Sequence, residues 1–328
     1  MLWKGRPNRL PGLSQVGWAW QTARMRNLLL AVALLALPVH AGEPAPAPSP
    51  GEIAAAAPAS DWIAIAPSDL LVMDLAPDAK GHPRRVVIQL MPPPFSQGWI
   101  GNIRKLAAAH WWDGTAVTRV QDNYVAQWGD PTEKKPLPAG LVTVPESDYV
   151  QRVSAAEEEQ LGRLGLVDSY AEAADIRDGW PLAQSGDYWW PVHCYGAVGV
   201  GRNMSPDTGS GAELYAVIGH APRHLDRNIA LVGRVISGIE HLSSLPRGTG
   251  DLGVYERAEE QVPILSIRLA TDLPAAEQPK FEYLSTNSDS FARYADARAN
   301  RRDPFFVTPA GGADICNIPV PIRPVAAK

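Results

Sequence analysis

The side chains able to do covalent or metal chemistry are few, and their spacing argues against using them that way. Asp207-Thr208-Gly209-Ser210 has the residue order of an aspartic-protease loop, in which two carboxylates share a proton. No second loop of that kind occurs, and Asn203-Met204-Ser205-Pro206 before it is a turn, so the segment reads as an ordinary Ser/Gly-rich loop. His220 and His224 are four apart, but Pro222 between them opposes a helix that would aim both at one metal. There is no His-Glu-x-x-His and no Gly-x-Ser-x-Gly, and Gly199-x-Gly201 lacks the third glycine of a dinucleotide loop. Two cysteines, Cys194 and Cys316, lack second ligands at zinc-type spacing. In an oxidising compartment they invite a disulfide; two buried free thiols are the alternative reading. Hydrolase and dehydrogenase chemistry thus have no support, and no cofactor or metal is expected.

What remains is a set of blocks in fixed order. Trp112-Asp113-Gly114-Thr115-Ala116-Val117-Thr118-Arg119-Val120 leads into Tyr124-Val125-Ala126-Gln127-Trp128-Gly129-Asp130-Pro131. Further on come Gly211-Ala212-Glu213-Leu214-Tyr215-Ala216-Val217-Ile218, then His224-Leu225-Asp226, then Val232-Gly233-Arg234-Val235. The first two resemble the active-site strands of the cyclophilins, which run Tyr-Asp-Gly, Phe-His-Arg-Val and Phe-Met-x-Gln-Gly-Gly-Asp. The others are similar to that family's Gly-Ser-Gln-Phe-Phe-Ile, Trp-Leu-Asp and Val-Phe-Gly-x-Val. The blocks span about Leu70 to Leu269.

The resemblance implies a role for each matching position. Arg119 falls on the catalytic arginine and Gln127 on the glutamine that holds it. Tyr124, Val125, Tyr215 and Leu225 fall on the apolar wall that receives the substrate proline. Gly201 and Arg202 fall near the residues whose backbone pairs with an extended peptide. The sequence departs from the family at Glu213, which replaces Gln, at His224, which replaces Trp or Phe, and at Thr118 and Ile229, which each replace His. Glu213 either orients Arg119 or partly neutralises it. Without the indole at position 224, cyclosporin-type inhibitors are expected to bind weakly.

A physical reading of those residues points the same way. Rotation about an amide has a barrier of about 18 to 20 kcal/mol, because the nitrogen lone pair is delocalised into the carbonyl. An apolar pocket gripping a proline ring, with a fixed cation such as Arg119 aimed at the imide, stabilises the twisted state more than either planar one. No nucleophile is needed. The expected activity is peptidyl-prolyl cis-trans isomerisation of exported proteins. The competing reading is a peptide-binding or chaperone module of the same shape with little turnover.

The elements that must carry these residues are short. Apolar runs at Asp69–Leu75, Arg85–Met91, Tyr195–Gly201, Glu213–Gly219, Ile229–Val235 and Val262–Leu269 alternate with turn residues and predict strands. Trp99, Ile103, Leu106, Ala107 and His110 share a helical face, with Ser96 or Pro94 near its start; Ile236, Ile239, Leu242 and Leu245 suggest a second helix. The expected fold is all-β: a closed, mainly antiparallel eight-stranded cyclophilin-like barrel with two capping helices. It occupies 61–270, with an insertion at about 132–193 and a C-terminal extension at 271–328. Within the insertion, the Glu/Ala-rich Ser154–Ala174 reads as a helical surface segment, and Trp180, Trp189 and Trp190 read as buried rather than partner-facing.

At the front of the chain, Met25-Arg26-Asn27, the apolar Leu28–Leu37 and Pro38-Val39-His40-Ala41 have the order of a secretory signal. Met25 is the expected initiator and Ala41 the last residue removed. An apolar run of ten is too short to span a bilayer. Gly42–Pro58 reads as an extended Ala/Pro-rich tether that does not pack. Residues 1–41 hold five basic and no acidic residues, so the rest has 25 basic against 35 acidic, a net of −10. With no basic stripe, that balance disfavours a nucleic-acid partner. The expected product is a periplasmic monomer, acting on proline-containing extended polypeptides and free of the membrane after cleavage.

Overall fold

The computed structural model describes residues 46–152, 164 and 166–325. The export signal, the front of the tether and most of the Ser154–Ala174 segment lie outside the described residues. In chain order the strands are β1 (Trp62–Ala64), β2 (Leu70–Leu75), β3 (Arg84–Leu90), β4 (Ala116–Val120) and β5 (Val125–Gly129). Then come β6 (Gln151–Arg152), β7 (Ala173–Arg177), β8 (Trp180–Ser185), β9 (Tyr188–Pro191) and β10 (Ala197–Val200). The last are β11 (Leu214–Val217), β12 (Leu231–Ser237), β13 (Val262–Leu269), β14 (Phe281–Leu284) and β15 (Ile322–Pro324).

Eight of them close a barrel in the order β10-β11-β5-β4-β13-β2-β3-β12, with every pairing antiparallel. Val86, Ile88, Val117, Val120, Trp128, Val198, Val200 and Ile267 fill its interior. The helix Gln97–Ala108 lays Trp99, Ile100, Ile103, Leu106 and Ala107 against that core. It begins after Ser96, whose hydroxyl donates to Leu231 O at 2.7 Å, and ends before His110, which takes a positive φ of 52°. The second predicted helix shrinks to Glu240–Ser243. Ile236 is instead in β12, where it packs outside the barrel with Leu70, Val72 and Val87.

The insertion carries its own antiparallel sheet, in the order β6-β9-β8-β7. Its hairpins turn on Asp178-Gly179, both at positive φ, and on Gly186-Asp187, positive at Gly186. Two-residue turns of this chemistry match the twist of the strands they join. Trp180, Trp189 and Trp190 are buried, Trp189 edge-on to Phe95 with ring centroids 6.2 Å apart. Ala173 and Ala174, expected at the end of a helical segment, open β7.

A third sheet, β1-β14-β15, joins the N-terminal strand to the C-terminal extension. Phe281, Tyr283 and Ile322 cover the outer surface of β2 and β3 near Leu70, Val72 and Val87. The tether is not extended throughout. Pro50–Ala55 is helical because Ser49 and Glu52 form a reciprocal capping box and Pro50 opens the first turn. Its Ile53 and Ala54, with Ala57, pack on Phe291, Tyr294 and Ala295 of the helix Asp289–Ala299. Cys194 and Cys316 are joined by a disulfide, tying the end of the insertion to the extension.

Candidate functional site

Strand register decides which side chains can meet. Arg119 on β4 lies opposite Gln127 on β5, Gln127 opposite Tyr215 on β11, and Tyr215 opposite Gly199 on β10. Directly paired residues project to the same side of a sheet. Val125, two residues before Gln127, shares that side, whereas Val120, Ala126, Trp128 and Ala216 turn into the core. The result is a ladder across four strands on the outside of the barrel.

Arg119 is half-buried and held at three points. Nη1 donates to Gln127 Oε1 at 2.8 Å, Nε donates to Leu252 O at 2.7 Å, and Nη2 donates to Gln121 Oε1. All three acceptors are neutral, so the guanidinium is fixed without being cancelled. Burial lowers its pKa from the ordinary value, with Tyr124 and Glu213 opposing that shift. Five N–H groups on a guanidinium leave two beyond these bonds. Gln127 completes a relay: its Oε1 accepts from Arg119 while its Nε2 donates to Glu213 Oε1 at 2.5 Å. Glu213 makes no hydrogen bond with Arg119; it fixes the Gln127 amide that holds the guanidinium and adds a direct attraction to its charge.

The apolar residues lie beside this cation. Tyr124 has the Arg119 guanidinium carbon 5.7 Å from its ring centroid and stacks on exposed His224, with centroids 6.1 Å apart and planes 14° apart. Val125, Tyr215, Tyr124 and Leu225 belong to one apolar cluster. Val125 and Tyr215 are only 2% and 4% exposed, so they form a floor, while Tyr124 and Leu225 are partly exposed walls. Gly201 and Arg202 are partly exposed next to Glu213: Gly201 N donates to Glu213 O at 2.8 Å. Arg202 is turned to Asn228 O and Asn203 O.

Two residues that sequence reasoning missed hold Tyr215. A Cβ at Gly199 would stand 2.3 Å from the Tyr215 hydroxyl, so the phenol lies where position 199 has no side chain. That hydroxyl meets His193 Nε2 at 3.0 Å, and His193 Nδ1 meets Asp226 Oδ1 at 2.9 Å. An ionised carboxylate only accepts, so Nδ1–H donates to Asp226, which turns Nε2 toward the tyrosine hydroxyl. Burial pushes the Tyr215 hydroxyl well above its ordinary pKa, keeping it a donor. Asp226 also accepts from Arg223 Nε at 2.7 Å, and Arg223 pairs with Asp168 at 2.7 Å. His193 and Asp168 come from the insertion, so the insertion braces the pocket floor. The Asp-Gly turns and the lone glycine facing an aromatic strand were the only sequence signals for this, and neither identifies a partner.

Among the comparisons, residues 96–269 match the family described as cyclophilin type peptidyl-prolyl cis-trans isomerase/CLD. The chain is similar in fold to the crystal structure of cyclophilin AquaCyp293 from Hirschia baltica, with a TM-score of 0.60 at 21% identity, over 81% of this chain and 94% of that one. A Cryptosporidium parvum cyclophilin type peptidyl-prolyl cis-trans isomerase, solved in the presence of the dipeptide Ala-Pro, aligns at 11% identity with a TM-score of 0.36, over 60% of this chain and 98% of its own. No curated protein matches. With the family match covering more than half of the sequence and a closed eight-stranded barrel beneath it, the chain belongs to the cyclophilin-type peptidyl-prolyl cis-trans isomerase family.

Proposed function

We propose that this protein catalyses cis–trans isomerisation of X-Pro bonds in extended polypeptides, and that it does so after export, on exported clients. The observation that carries the reading is Arg119, fixed by three neutral acceptors beside a floor of Val125 and Tyr215. The proline ring sits against that floor between Tyr124 and Leu225, and an unused guanidinium N–H faces the imide nitrogen. As the bond twists, conjugation breaks and electron density returns to nitrogen, and a donor already in place stabilises it without reorganisation. The floor binds planar and twisted forms alike and supplies grip rather than rate. Gly201 offers backbone to the flanking peptide.

Export is supported by the charged, apolar and small-residue order ending at Ala41 and by a disulfide, which persists in oxidising compartments. Uncatalysed X-Pro exchange takes tens to hundreds of seconds, so an isomerase there has work to do. The test is NMR exchange spectroscopy on an Ala-Pro-containing peptide with catalytic amounts of protein. Faster cis–trans exchange supports the reading. Peptide binding with no acceleration would replace it with the peptide-binding module.

A further inference from the structure

A cavity of about 260 Å³ lies between the barrel, the insertion sheet and the C-terminal extension, with the Cys194–Cys316 bridge in its wall. It shares no residue with the Arg119 face. Met91 and Leu231 of the barrel and Ile318 and Val320 of the extension give it apolar sides. Arg234 and Arg298 also line it, and among the described residues no Asp or Glu does. Arg234 spends its bonds on neutral acceptors: Nε and Nη2 on Gln89 Oε1 at 3.0 and 2.8 Å, and Nη1 on Gly179 O at 2.6 Å. Its guanidinium carbon lies 4.3 Å from the Trp180 ring centroid. Arg298 donates to Asn317 O at 2.7 Å. Neither is paired with a carboxylate among the described residues. Burial pushes the Arg234 pKa down to about 9.

Arg234 is partly buried with neutral acceptors only, so an anion entering the cavity would meet a cation that no protein carboxylate compensates. The cations call for an anion, and the walls call for a hydrocarbon body. A doubly charged phosphate would be desolvated against those walls, whereas a monocarboxylate can accept from the Nη1 and Nη2 N–H groups of Arg234 that Gln89 and Gly179 leave unused. We propose that this cavity is a binding site for a small apolar monocarboxylate, with its hydrocarbon against Met91, Leu231, Ile318 and Val320 and its carboxylate on Arg234. A dry cavity of about 150 Å³ holds benzene, so this one has room for a single ring bearing a carboxylate.

Cyclohexanecarboxylate is the probe and cyclohexylmethanol its neutral counterpart, followed by calorimetry and by methyl NMR of Ile318 and Val320. At pH 7 the acid should bind roughly tenfold or more tightly than the alcohol, as a charge-assisted hydrogen bond implies. Arg234→Gln should bring the acid down to the alcohol's affinity. Val320→Trp, which alters the extension and leaves the barrel strands intact, should abolish binding of both and covers the case in which Arg234→Gln fails to fold. The site is refuted if acid and alcohol bind alike, if neither shifts the Ile318 and Val320 methyls, or if the Val320→Trp protein binds the acid unchanged. Isomerase turnover is expected to stay within twofold in Val320→Trp, which separates this site from the catalytic proposal.

Discussion

Arg119 acts as a fixed donor, and that makes its removal informative. Loss of one preorganised donor costs about 2.7 to 4 kcal/mol of transition-state stabilisation, so Arg119→Ala should lower turnover roughly a hundredfold or more. Peptide affinity and circular dichroism should persist, because the floor and walls do not depend on the charge. Arg119→Lys should recover little: one ammonium cannot reach Gln127, Gln121 and Leu252 O together. Near-native exchange rates in Arg119→Ala would place the catalytic group elsewhere. At this scale much was legible. Arg119, Gln127, Tyr124, Val125, Tyr215 and Leu225 lie on one face of the barrel, and Glu213 reaches that face by a hydrogen bond from Gln127 and by its charge. Gly199, Gln121, Leu252 and His193 were not legible, since each matters only through a neighbour far away in sequence.

Segments attached to the barrel were harder to read than the barrel itself. The apolar runs located strands to within about two residues because a closed barrel needs alternating inward side chains. The insertion sheet escaped because its strands are short and rich in Trp and Pro, although Asp178-Gly179 and Gly186-Asp187 mark its hairpins. The capped helix Pro50–Ala55 escaped because composition concealed Ser49 and Glu52 at capping-box spacing. The bridge that links these additions spans 122 residues, for which the chain-entropy relation gives about 4 to 5 kcal/mol. Replacing both cysteines by serine should lower the unfolding free energy by about that amount in denaturant titrations. An unchanged midpoint would mean that packing alone holds the extension.

The molecule as a whole is braced by the buried chain of Tyr215, His193, Asp226, Arg223 and Asp168, which connects pocket floor to insertion. Burial raises the Asp226 pKa, but the bonds from His193 and Arg223 outweigh it and hold the carboxyl below its ordinary value. A depressed folded-state pKa contributes stability that is complete above the unfolded value near 4 and is lost as pH falls through the folded one. Asp226→Asn should therefore flatten the acid limb of the stability–pH curve and cost about 3 kcal/mol at pH 7. An acid limb identical to that of the parent would exclude Asp226 as its source. Mass spectrometry of protein recovered from the periplasm should find Gly42 at the amino terminus; retention of Leu28–Leu37 would refute cleavage. The pairing of β13 with both β2 and β4 also has a consequence during synthesis. A nascent chain that has not yet reached Val262 holds an open sheet with two unpaired edges, and Pro50–Ala55 has no helix to rest on until Asp289–Ala299 emerges. Unpaired edges recruit strands from other chains. Ribosome stalling or truncation before Val262 should thus yield aggregation-prone fragments rather than a smaller working barrel.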